Sequence, residues 1–317
     1  MLEFDANLKL WVATRAQDIR AVMESPHCAV RPPAEPVPKA IAGSSAGAVF
    51  AQLVRMNEGA SHTAPKAAIV QALAALDLAQ VTLRAAHFAA MLKSSDGESV
   101  TRWVFDLPTY VVADLLGIAE ADLPQVALLM ADFVRCLSPL STPEQLASAS
   151  SAAHTLMARF AESTQPSSAC PANRIGLLSQ THEATAGLIG NGIVALLRDP
   201  ELQARLRSDP QQAAALVRQV ARDDPSVQNT RRFVTQAVSI AGAALQPGDT
   251  ILLKLGTAGE CGFGHGRHAC PGQELAYTIA TAALQHLLSL SQPLALDWTY
   301  KPSANARLPL FTTKGQS

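Results

Sequence analysis

Apolar residues recur at every third or fourth position through the middle of the chain, from about residue 67 to residue 203. That spacing puts them on one face of an α-helix, and since Pro and Gly interrupt it only at wide intervals, we expect several long consecutive helices. An Asp before a Pro marks two helix starts, at Asp199-Pro200 and at Asp209-Pro210. The Asp side chain can cap the first turn, where the N–H that Pro lacks has no helical partner. The middle of the chain is therefore predicted to be almost entirely α-helical.

The segment before these helices has a mixed pattern. Asp5 to Thr14 alternates between apolar and polar positions and predicts a strand, after which Gln17 to Glu24 has helical spacing. Val30 to Ser45 is rich in Pro, Ala and Gly, a composition that cannot sustain a regular helix. We expect a short β element, one helix, and a loop that borders a pocket.

The segment after Arg222 changes character again. Phe233 to Ile240 and Thr250 to Leu255 are β-like runs, separated by the turn sequence Gln246 to Asp249. A Gly-rich loop, Gly262 to Gly266, then leads into a final helix. Its apolar residues share one side: Leu275, Ile279, Leu284 and Leu287.

Together these patterns predict a mainly α fold with small β-sheets. A chain of 317 residues with 48% hydrophobic side chains can bury a core large enough to enclose a cofactor. We expect one domain, residues 1–317, with four regions. These are a small β region with a loop (1–60), a helical region (61–222), a small sheet (223–262), and a cysteine loop with the final helix (263–317).

The charge distribution excludes some partners. The formal net charge is −1 and there is no long basic run, so we expect neither nucleic acid nor an anionic membrane as a partner. The amino-terminal residues lack the positive segment of a secretion signal, and no stretch approaches the roughly 20 apolar residues that a spanning helix needs. We therefore expect a cytoplasmic protein.

The cysteines are five in number and widely scattered, which argues against a disulfide framework. For Cys28, Cys136 and Cys170 we expect small buried or half-buried side chains. Cys270 differs because it precedes the final helix, whose unpaired N–H groups and dipole stabilise a thiolate. Glycines around it, at positions 262, 264, 266 and 272, would let the backbone approach a flat macrocycle closely. Cys270 is therefore a candidate thiolate ligand for haem iron.

The run Phe263-Gly264-His265-Gly266-Arg267-His268-Ala269-Cys270-Pro271-Gly272 resembles the haem-binding signature of the cytochrome P-450 superfamily. An aromatic residue, a Gly, a basic residue, the Cys and a second Gly stand there at the intervals that the signature requires. The resemblance implies that Cys270 is the axial ligand of haem b and that Phe263 packs near the sulfur. It implies that His268 contacts a haem propionate and that Gly272 completes the binding loop.

Similarity to this family extends over nearly the whole chain. Thr181 to Asn191 resembles the long helix that crosses the distal face of the haem. There, Glu183 stands at the position of the family's acid, and Ala184 and Thr185 follow it. Lys301 to Pro309 is similar to a segment near the family's carboxyl end.

Three further positions resemble residues that bind the haem propionates. Arg232, in the run Val227 to Arg232, stands at the position of a propionate-binding Arg. His62 matches another propionate contact, and Lys66 replaces an Arg one helical turn later. Pro65 beside Lys66 is expected to disturb that helix.

Several departures from the family pattern concern structure. The family's Glu-x-x-Arg helix has Gln219 in place of the Glu, so Arg222 lacks its usual partner and is expected to be hydrated, re-paired or exposed. Leu255 is followed almost at once by Gly262, which leaves little of the family's meander. The fold is also expected to lack the first helix, since Met1 falls just before the first strand.

Another departure concerns oxygen chemistry. The family's acid is usually followed by Thr, whose hydroxyl helps to deliver protons to bound dioxygen, whereas Glu183 is followed by Ala184. Thr185 lies about 100° further around the helix and is not a simple substitute. Some relatives with Ala at this position use a substrate hydroxyl.

The resemblance implies an oxidoreductase that hydroxylates a small or medium lipophilic substrate, using dioxygen and a ferredoxin- or flavodoxin-type electron donor. Two alternatives remain open: a degenerate or truncated haem-thiolate protein that binds haem poorly and has no monooxygenase turnover, and a peroxide-dependent or rearrangement enzyme. A competing interpretation of the cysteine loop is a zinc site. Its ligands would be Cys261, His265, His268 and Cys270.

Overall fold

A computed structural model of the chain describes residues 1–162, 169–291 and 295–315, and it is mostly helical with small sheets. The helices are α1 (Ala16–Glu24), α2 (Ser45–Gln52), α3 (Ala60–Ala74), α4 (Leu78–Met91), α5 (Gly97–Leu115), α6 (Leu123–Phe133), α7 (Pro143–Glu162), α8 (Pro171–Arg198), α9 (Pro200–Ser208), α10 (Ala213–Asp223) and α11 (Gln273–Ser289). The strands are β1 (Glu3–Asp5), β2 (Leu10–Ala13), β3 (Cys28–Ala29), β4 (Asn229–Val234), β5 (Val238–Ile240), β6 (Ala243–Leu245), β7 (Thr250–Lys254), β8 (Leu296–Tyr300) and β9 (Pro309–Thr313). The predicted fold class is confirmed.

The largest sheet joins the start of the chain to a segment more than 200 residues later. Its strand order is β1-β2-β7-β4-β3, in which β2 and β7 pair in parallel and the other neighbours pair antiparallel. The single strand predicted from Asp5 to Thr14 is wrong, because the chain turns back on itself there. The Asp5 carboxylate accepts hydrogen bonds from the N–H groups of Asn7 and Leu8, which favours a tight turn over continued extension.

The helical core is built on aromatic side chains that no solvent reaches. Trp103 on α5, Phe88 on α4 and Phe133 on α6 are among its largest fully buried residues. Final helix α11 packs against α4 and α8 through its predicted apolar side, which confirms that stripe. The buried stripe residues are Leu275, Ile279, Leu284 and Leu287.

In the region from 1 to 60, helix α1 confirms the helix predicted from Gln17 to Glu24, whereas helix α2 was not predicted. Helix α2 begins inside the predicted loop because Ser44 caps it, with its Oγ accepting the N–H of Gly47 at 3.1 Å. Between Val30 and α2 the chain otherwise lacks regular structure apart from the 3-10 turn Lys39–Ile41, as its composition predicted.

The two predicted helix starts behave differently. The Asp199 carboxylate accepts the N–H of Leu202 at 2.9 Å, and α9 begins at Pro200 as expected. The prediction for Asp209 is wrong in part, because a 3-10 turn, Pro210–Gln212, precedes α10. Its carboxylate accepts a side-chain hydrogen bond from Gln212 instead of capping the backbone.

The expected disturbance at Pro65 is not seen, since α3 continues through that residue to Ala74. In the described part of the chain, no single helix combines the length and the apolar character needed to cross a bilayer. Helices α3 and α4 meet those criteria together, but they bend by 79° at the break between them.

The unusual Gln219 and Arg222 both lie on the exposed side of α10. The Arg222 guanidinium pairs with the neighbouring Asp223, with 2.8 Å between Nε and Oδ1. The expectation that Arg222 is re-paired or exposed is therefore confirmed on both counts. After β7, one 3-10 turn, Leu255–Thr257, is followed by a short bend that reaches Gly262, so the connection is as short as the sequence indicated.

Candidate functional site

A cavity of about 1190 Å³ lies between α8 and the loop that carries Cys270. The ten residues that the sequence singled out for a cofactor or for oxygen chemistry all line it, although they come from four separate stretches of the chain. They are His62, Lys66, Glu183, Ala184, Thr185, Arg232, Phe263, His268, Cys270 and Gly272. The fold therefore assembles the whole predicted set around one space.

The Cys270 thiol faces this cavity at the end of a tightly folded loop. Its backbone N–H donates to the carbonyl oxygen of Phe263 at 2.8 Å, which closes the loop. Gly264 has a φ of +74°, and a Cβ there would lie 3.1 Å from the carbonyl oxygen of His268, so this turn requires glycine. The loop thus holds Cys270 by backbone geometry.

Two opposing influences act on the Cys270 thiol. Burial raises the pKa of the thiol above its ordinary value, and a hydrogen bond from the Gly272 N–H and the positive charge of Lys66 offset this rise only in part. The Lys66 ammonium group donates to the carbonyl oxygen of Ala269, directly beside the thiol. If a metal ion replaced the proton of the Cys270 thiol, the Gly272 N–H and the Lys66 ammonium group would both stabilise the negative sulfur.

Several buried side-chain nitrogens on the cavity wall have no hydrogen-bond partner in the described part of the chain. Two of them, Nε2 of His62 and Nε of Arg232, are in residues that are only 4% and 5% exposed. Buried nitrogens without partners are costly and indicate an absent ligand. Burial lowers the pKa of Arg232 to about 10, which leaves its guanidinium charged at neutral pH. These two groups fit the anionic propionates of a haem.

Glu58 is a part of this site that the sequence analysis missed. Its Oε1 lies 3.1 Å from Nε2 of His268, and its Oε2 accepts from Nε of Arg267 at 3.0 Å. Burial acts to raise the pKa of Glu58, but hydrogen bonds from His268 and Arg267 hold it at about 2. The His268 ring lies 4.3 Å from the His62 ring, centroid to centroid. Glu58 therefore orients His268 at the cavity wall, next to His62.

Arg267 ties the cysteine loop to the amino-terminal region. In addition to Glu58, its guanidinium donates to the carbonyl oxygens of Ser25 and Cys28. These contacts fix the loop against the segment that follows α1. The position of the Cys270 loop thus depends on residues more than 200 positions earlier.

On the opposite wall, Glu183 and Ala184 are held from outside α8. The Lys301 ammonium group lies 3.0 Å from Oε1 of Glu183. The Ser226 hydroxyl donates to the carbonyl oxygen of Ala184 at 2.6 Å. Ser226 approaches this closely because α8 has Gly187, where a Cβ would lie 2.5 Å from the Ser226 Cβ. Ser226 thus brings a hydroxyl to a position whose own side chain has none.

Two neighbouring side chains on α8, Thr185 and His182, are buried. Thr185 lines the cavity but is only 3% exposed. His182 is buried, and its Nδ1 lies 3.0 Å from the Thr109 hydroxyl. Burial and the charge of Lys301 lower the pKa of His182 to about 4, so it is neutral at physiological pH.

The zinc interpretation is not supported. Among the described residues, no three His, Cys, Asp or Glu side chains are grouped closely enough to hold a metal ion. His265 instead pairs with Glu24, at 2.6 Å between Nε2 and Oε1. The prediction that Cys170 is buried is wrong, because it is exposed at the residue before α8, whereas Cys28 and Cys136 are buried as expected.

Curated proteins similar to this chain are bacterial cytochromes P-450. The biotin biosynthesis cytochrome P-450 of Bacillus subtilis is 25% identical over 251 residues, which are 65% of this chain and 64% of that protein. The cytochrome P-450 monooxygenase PikC of Streptomyces venezuelae is 35% identical over 142 residues, 38% of this chain and 34% of that protein. The chain thus spans less than two thirds of the length of these relatives. No family model matches it.

Solved structures of the same class have a similar fold. P450BioI, in complex with an acyl carrier protein ligated to hexadec-9Z-enoic acid, matches with a TM-score of 0.83 at 21% identity, over 98% of this chain and 94% of that one. CalO2 matches with a TM-score of 0.81 at 19% identity, over 100% of this chain and 93% of that one. The short connection after β7 is therefore compatible with this fold.

Proposed function

The chain belongs to the cytochrome P-450 superfamily, and from this premise we propose that it is a haem-thiolate monooxygenase. It would insert one atom of dioxygen into a lipophilic substrate, while the other atom leaves as water after uptake of two electrons and two protons. The observation that carries the proposal is the convergence of all ten predicted residues on one cavity. Haem b, the cofactor of this family, supplies the cleavage of the O–O bond when it is bound.

The residues that would hold the haem fit its chemistry. Cys270 supplies the thiolate, and the unpartnered nitrogens of His62 and Arg232 would receive the two propionates. Phe263 and Gly272 would line the cofactor beside the sulfur. Lys66 and His268 add positive or donor groups on the same wall.

A second cysteine on the wall, Cys136, is a poor alternative ligand. Burial raises the pKa of the Cys136 thiol to about 12, so a thiolate is disfavoured there. Burial also raises the pKa of the Cys270 thiol, but Cys270 lies in the loop that resembles the haem-binding signature of the family, and Cys136 does not. We therefore assign the ligand role to Cys270.

The distal residues would manage protons and water. Glu183 is a carboxylate on the cavity wall that can accept a proton from solvent and pass it inward. Ala184 leaves space for an ordered water molecule, and the Ser226 hydroxyl lies beside it. Thr185 lines the same wall. Apolar side chains such as Val112, Leu116 and Leu188 would exclude bulk water and contact a lipophilic substrate.

The electrons would come from a separate protein, which we propose to be a ferredoxin or flavodoxin. The test of the proposed function is the reduced carbon monoxide difference spectrum, together with the haem content per chain. The purified protein is expected to show the red-shifted Soret band of a thiolate-ligated haem, and Cys270→Ala is expected to lose it. Cys136→Ala, which removes another thiol from the cavity wall, should keep the band. Protein that stays colourless when haemin is added would refute the proposal.

A peroxide-dependent reaction is a second candidate, because position 184 lacks the hydroxyl that usually assists dioxygen activation. Peroxide supplies both oxygen atoms and both electrons, so it removes the need for an electron donor. Turnover with hydrogen peroxide but not with reductase and dioxygen would favour this candidate.

A further inference from the structure

Arg55 is a cationic residue on the wall of the cavity. It is not among the residues that we propose to bind haem or to deliver protons. It lies in the 3-10 turn Val54–Met56, between α2 and α3. The turn is held rigidly, since the Val54 N–H donates to Oδ1 of Asn173 on α8 at 2.9 Å. Asn57 donates from Nδ2 to the carbonyl oxygen of Leu53 at 2.8 Å. These hydrogen bonds therefore hold the backbone of Arg55 next to α8.

Among the residues that the structure describes, none forms a hydrogen bond or an ion pair with the Arg55 guanidinium. Its Nε is buried without a hydrogen bond, and across residues 1–162, 169–291 and 295–315 no carboxylate forms an ion pair with it. Burial lowers its pKa, yet a guanidinium remains charged at any physiological pH. A buried positive charge without a counter-ion is unfavourable unless a ligand supplies one.

The titratable groups near Arg55 do not neutralise its guanidinium. Glu183 is the nearby carboxylate that acts on Arg55, but it already pairs with Lys301 at 3.0 Å. Cys136 also faces Arg55, and burial raises the pKa of that thiol to about 12, so it is uncharged. Neither of these two groups therefore neutralises the positive charge of Arg55.

Arg55 is distinct from the groups that fit the haem propionates. The charged groups that influence Arg232 are Glu58, Arg267 and Cys28, whereas those that influence Arg55 are Cys136 and Glu183. The two arginines thus face different parts of the cavity. The positive charge of Arg55 is therefore available to something other than the cofactor.

We infer that Arg55 binds the carboxylate of the substrate, and that the substrate is a lipophilic monocarboxylate. A guanidinium and a carboxylate form two parallel hydrogen bonds, and one of these would give the buried Nε–H of Arg55 an acceptor. The rest of the ligand would contact apolar residues of the same cavity, among them Leu116, Leu137 and Leu188. This inference rests on the proposed function, because it names the substrate class of that cavity.

The test uses the holoprotein and a matched pair of probes, dodecanoate and its methyl ester, titrated by calorimetry. We expect the wild type to bind the acid at least tenfold more tightly than the ester, since a hydrogen bond to a charged group changes affinity by roughly tenfold to a hundredfold. Arg55→Met should remove this preference and leave ester binding unchanged. Arg55→Lys should keep part of it. The control, Arg205→Met, removes an exposed charge on α9 and should bind as the wild type does.

Equal affinity of the wild type for acid and ester would overturn the inference, and so would an equal loss of both in Arg55→Met. If Arg55→Met does not fold, the comparison of acid and ester in the wild type and in Arg55→Lys decides. Haem content and the carbon monoxide spectrum of the same samples report separately on the proposed function. A protein with the expected Soret band that does not discriminate between the probes would refute the substrate class alone.

Discussion

The ammonium group of Lys301 lies 3.0 Å from the carboxylate of Glu183, although the two residues are 118 positions apart in the sequence. Lys301 follows β8 directly, and Glu183 is in the middle of α8. Both side chains are partly exposed, at 41% and 32%, so the pair adds less than about 1 kcal/mol to stability. The pair matters instead for position, because Lys301 holds the Glu183 carboxylate of α8 at one edge of the cavity.

Replacing either member of this pair is expected to reduce the yield of product. Glu183→Gln removes the proton-carrying group, and turnover should fall by about a hundredfold. Lys301→Gln leaves the acid without its partner, so we expect a smaller loss and more peroxide released per reductant consumed. Lys301→Arg keeps the ion pair and should restore coupling. Wild-type coupling in Lys301→Gln would show that the pair does not position Glu183.

The hydroxyl of Ser226 is expected to matter for turnover as well as for stability. Ser226→Ala removes the hydrogen bond to the Ala184 carbonyl and should cost about 1 kcal/mol of unfolding free energy. Ser179→Ala is the matched control, since its buried Oγ also donates to a helix carbonyl, that of Gly176. We expect similar losses of stability from both, measured by urea unfolding, but loss of coupling only from Ser226→Ala. Unchanged coupling in Ser226→Ala would contradict this role.

Features encoded by neighbouring residues could be predicted from the sequence. The cysteine loop is one, because its Gly spacing fixes the backbone around Cys270. The apolar side of α11 and the Asp199 cap are others, since both depend on residues within one or two helical turns. The positions that we propose to bind haem also followed from a resemblance that extends over nearly the whole chain.

Contacts between distant segments could not be predicted. Arg55, Glu58 and Lys301 are charged residues in turns or at strand ends, where a solvated surface position is the ordinary expectation. Only the packing of α8 against the turn before α3 and the segment after β8 places Arg55 on the cavity wall and Lys301 beside Glu183. Glu58 gains its importance from Arg267 and His268, which lie more than 200 residues later.

Arg222 is expected to be dispensable for haem binding, although the family's corresponding Arg is normally buried and paired. It is exposed and pairs only with its neighbour Asp223 within the described residues, so Arg222→Ala should cost about 0.5 kcal/mol or less. Haem content and urea unfolding of the variant check this. Gln219→Glu should add only about 0.3 to 0.5 kcal/mol, as expected of an exposed helix pair. A large loss of haem in Arg222→Ala would refute the re-pairing.

Asp106 on α5 is predicted to destabilise the fold at neutral pH. Burial raises its pKa to about 6, and the charge of Arg102 only partly opposes this. The protonated carboxyl therefore favours folding below pH 3.8, and that contribution is lost as the pH rises through about 6. Asp106→Asn should stabilise the protein by about 1 to 3 kcal/mol at pH 7 and have little effect near pH 4. Urea unfolding at both pH values measures this, with exposed Glu162→Gln as the control.

The contribution of His182 to stability should be lost as the pH falls, whereas that of Asp106 is lost as the pH rises. Because burial lowers its pKa from 6.5 to about 4, the unfolded chain binds a proton between these values while the folded protein does not. Stability is therefore retained above pH 6.5 and lost as the pH falls toward 4, at about 1.4 kcal/mol per pH unit and about 3 kcal/mol in total. His182→Gln removes the titration and can keep a hydrogen bond to Thr109.

The difference in unfolding free energy between His182→Gln and the wild type, followed from pH 7 to pH 4.5, isolates this contribution, because Asp106 titrates equally in both proteins. We expect the variant to be less stable than the wild type at pH 7 and to gain relative stability steadily as the pH falls. His154→Gln, an exposed histidine on α7, should show no such gain. A parallel pH dependence in His182→Gln and the wild type would mean that folding does not lower the pKa of His182.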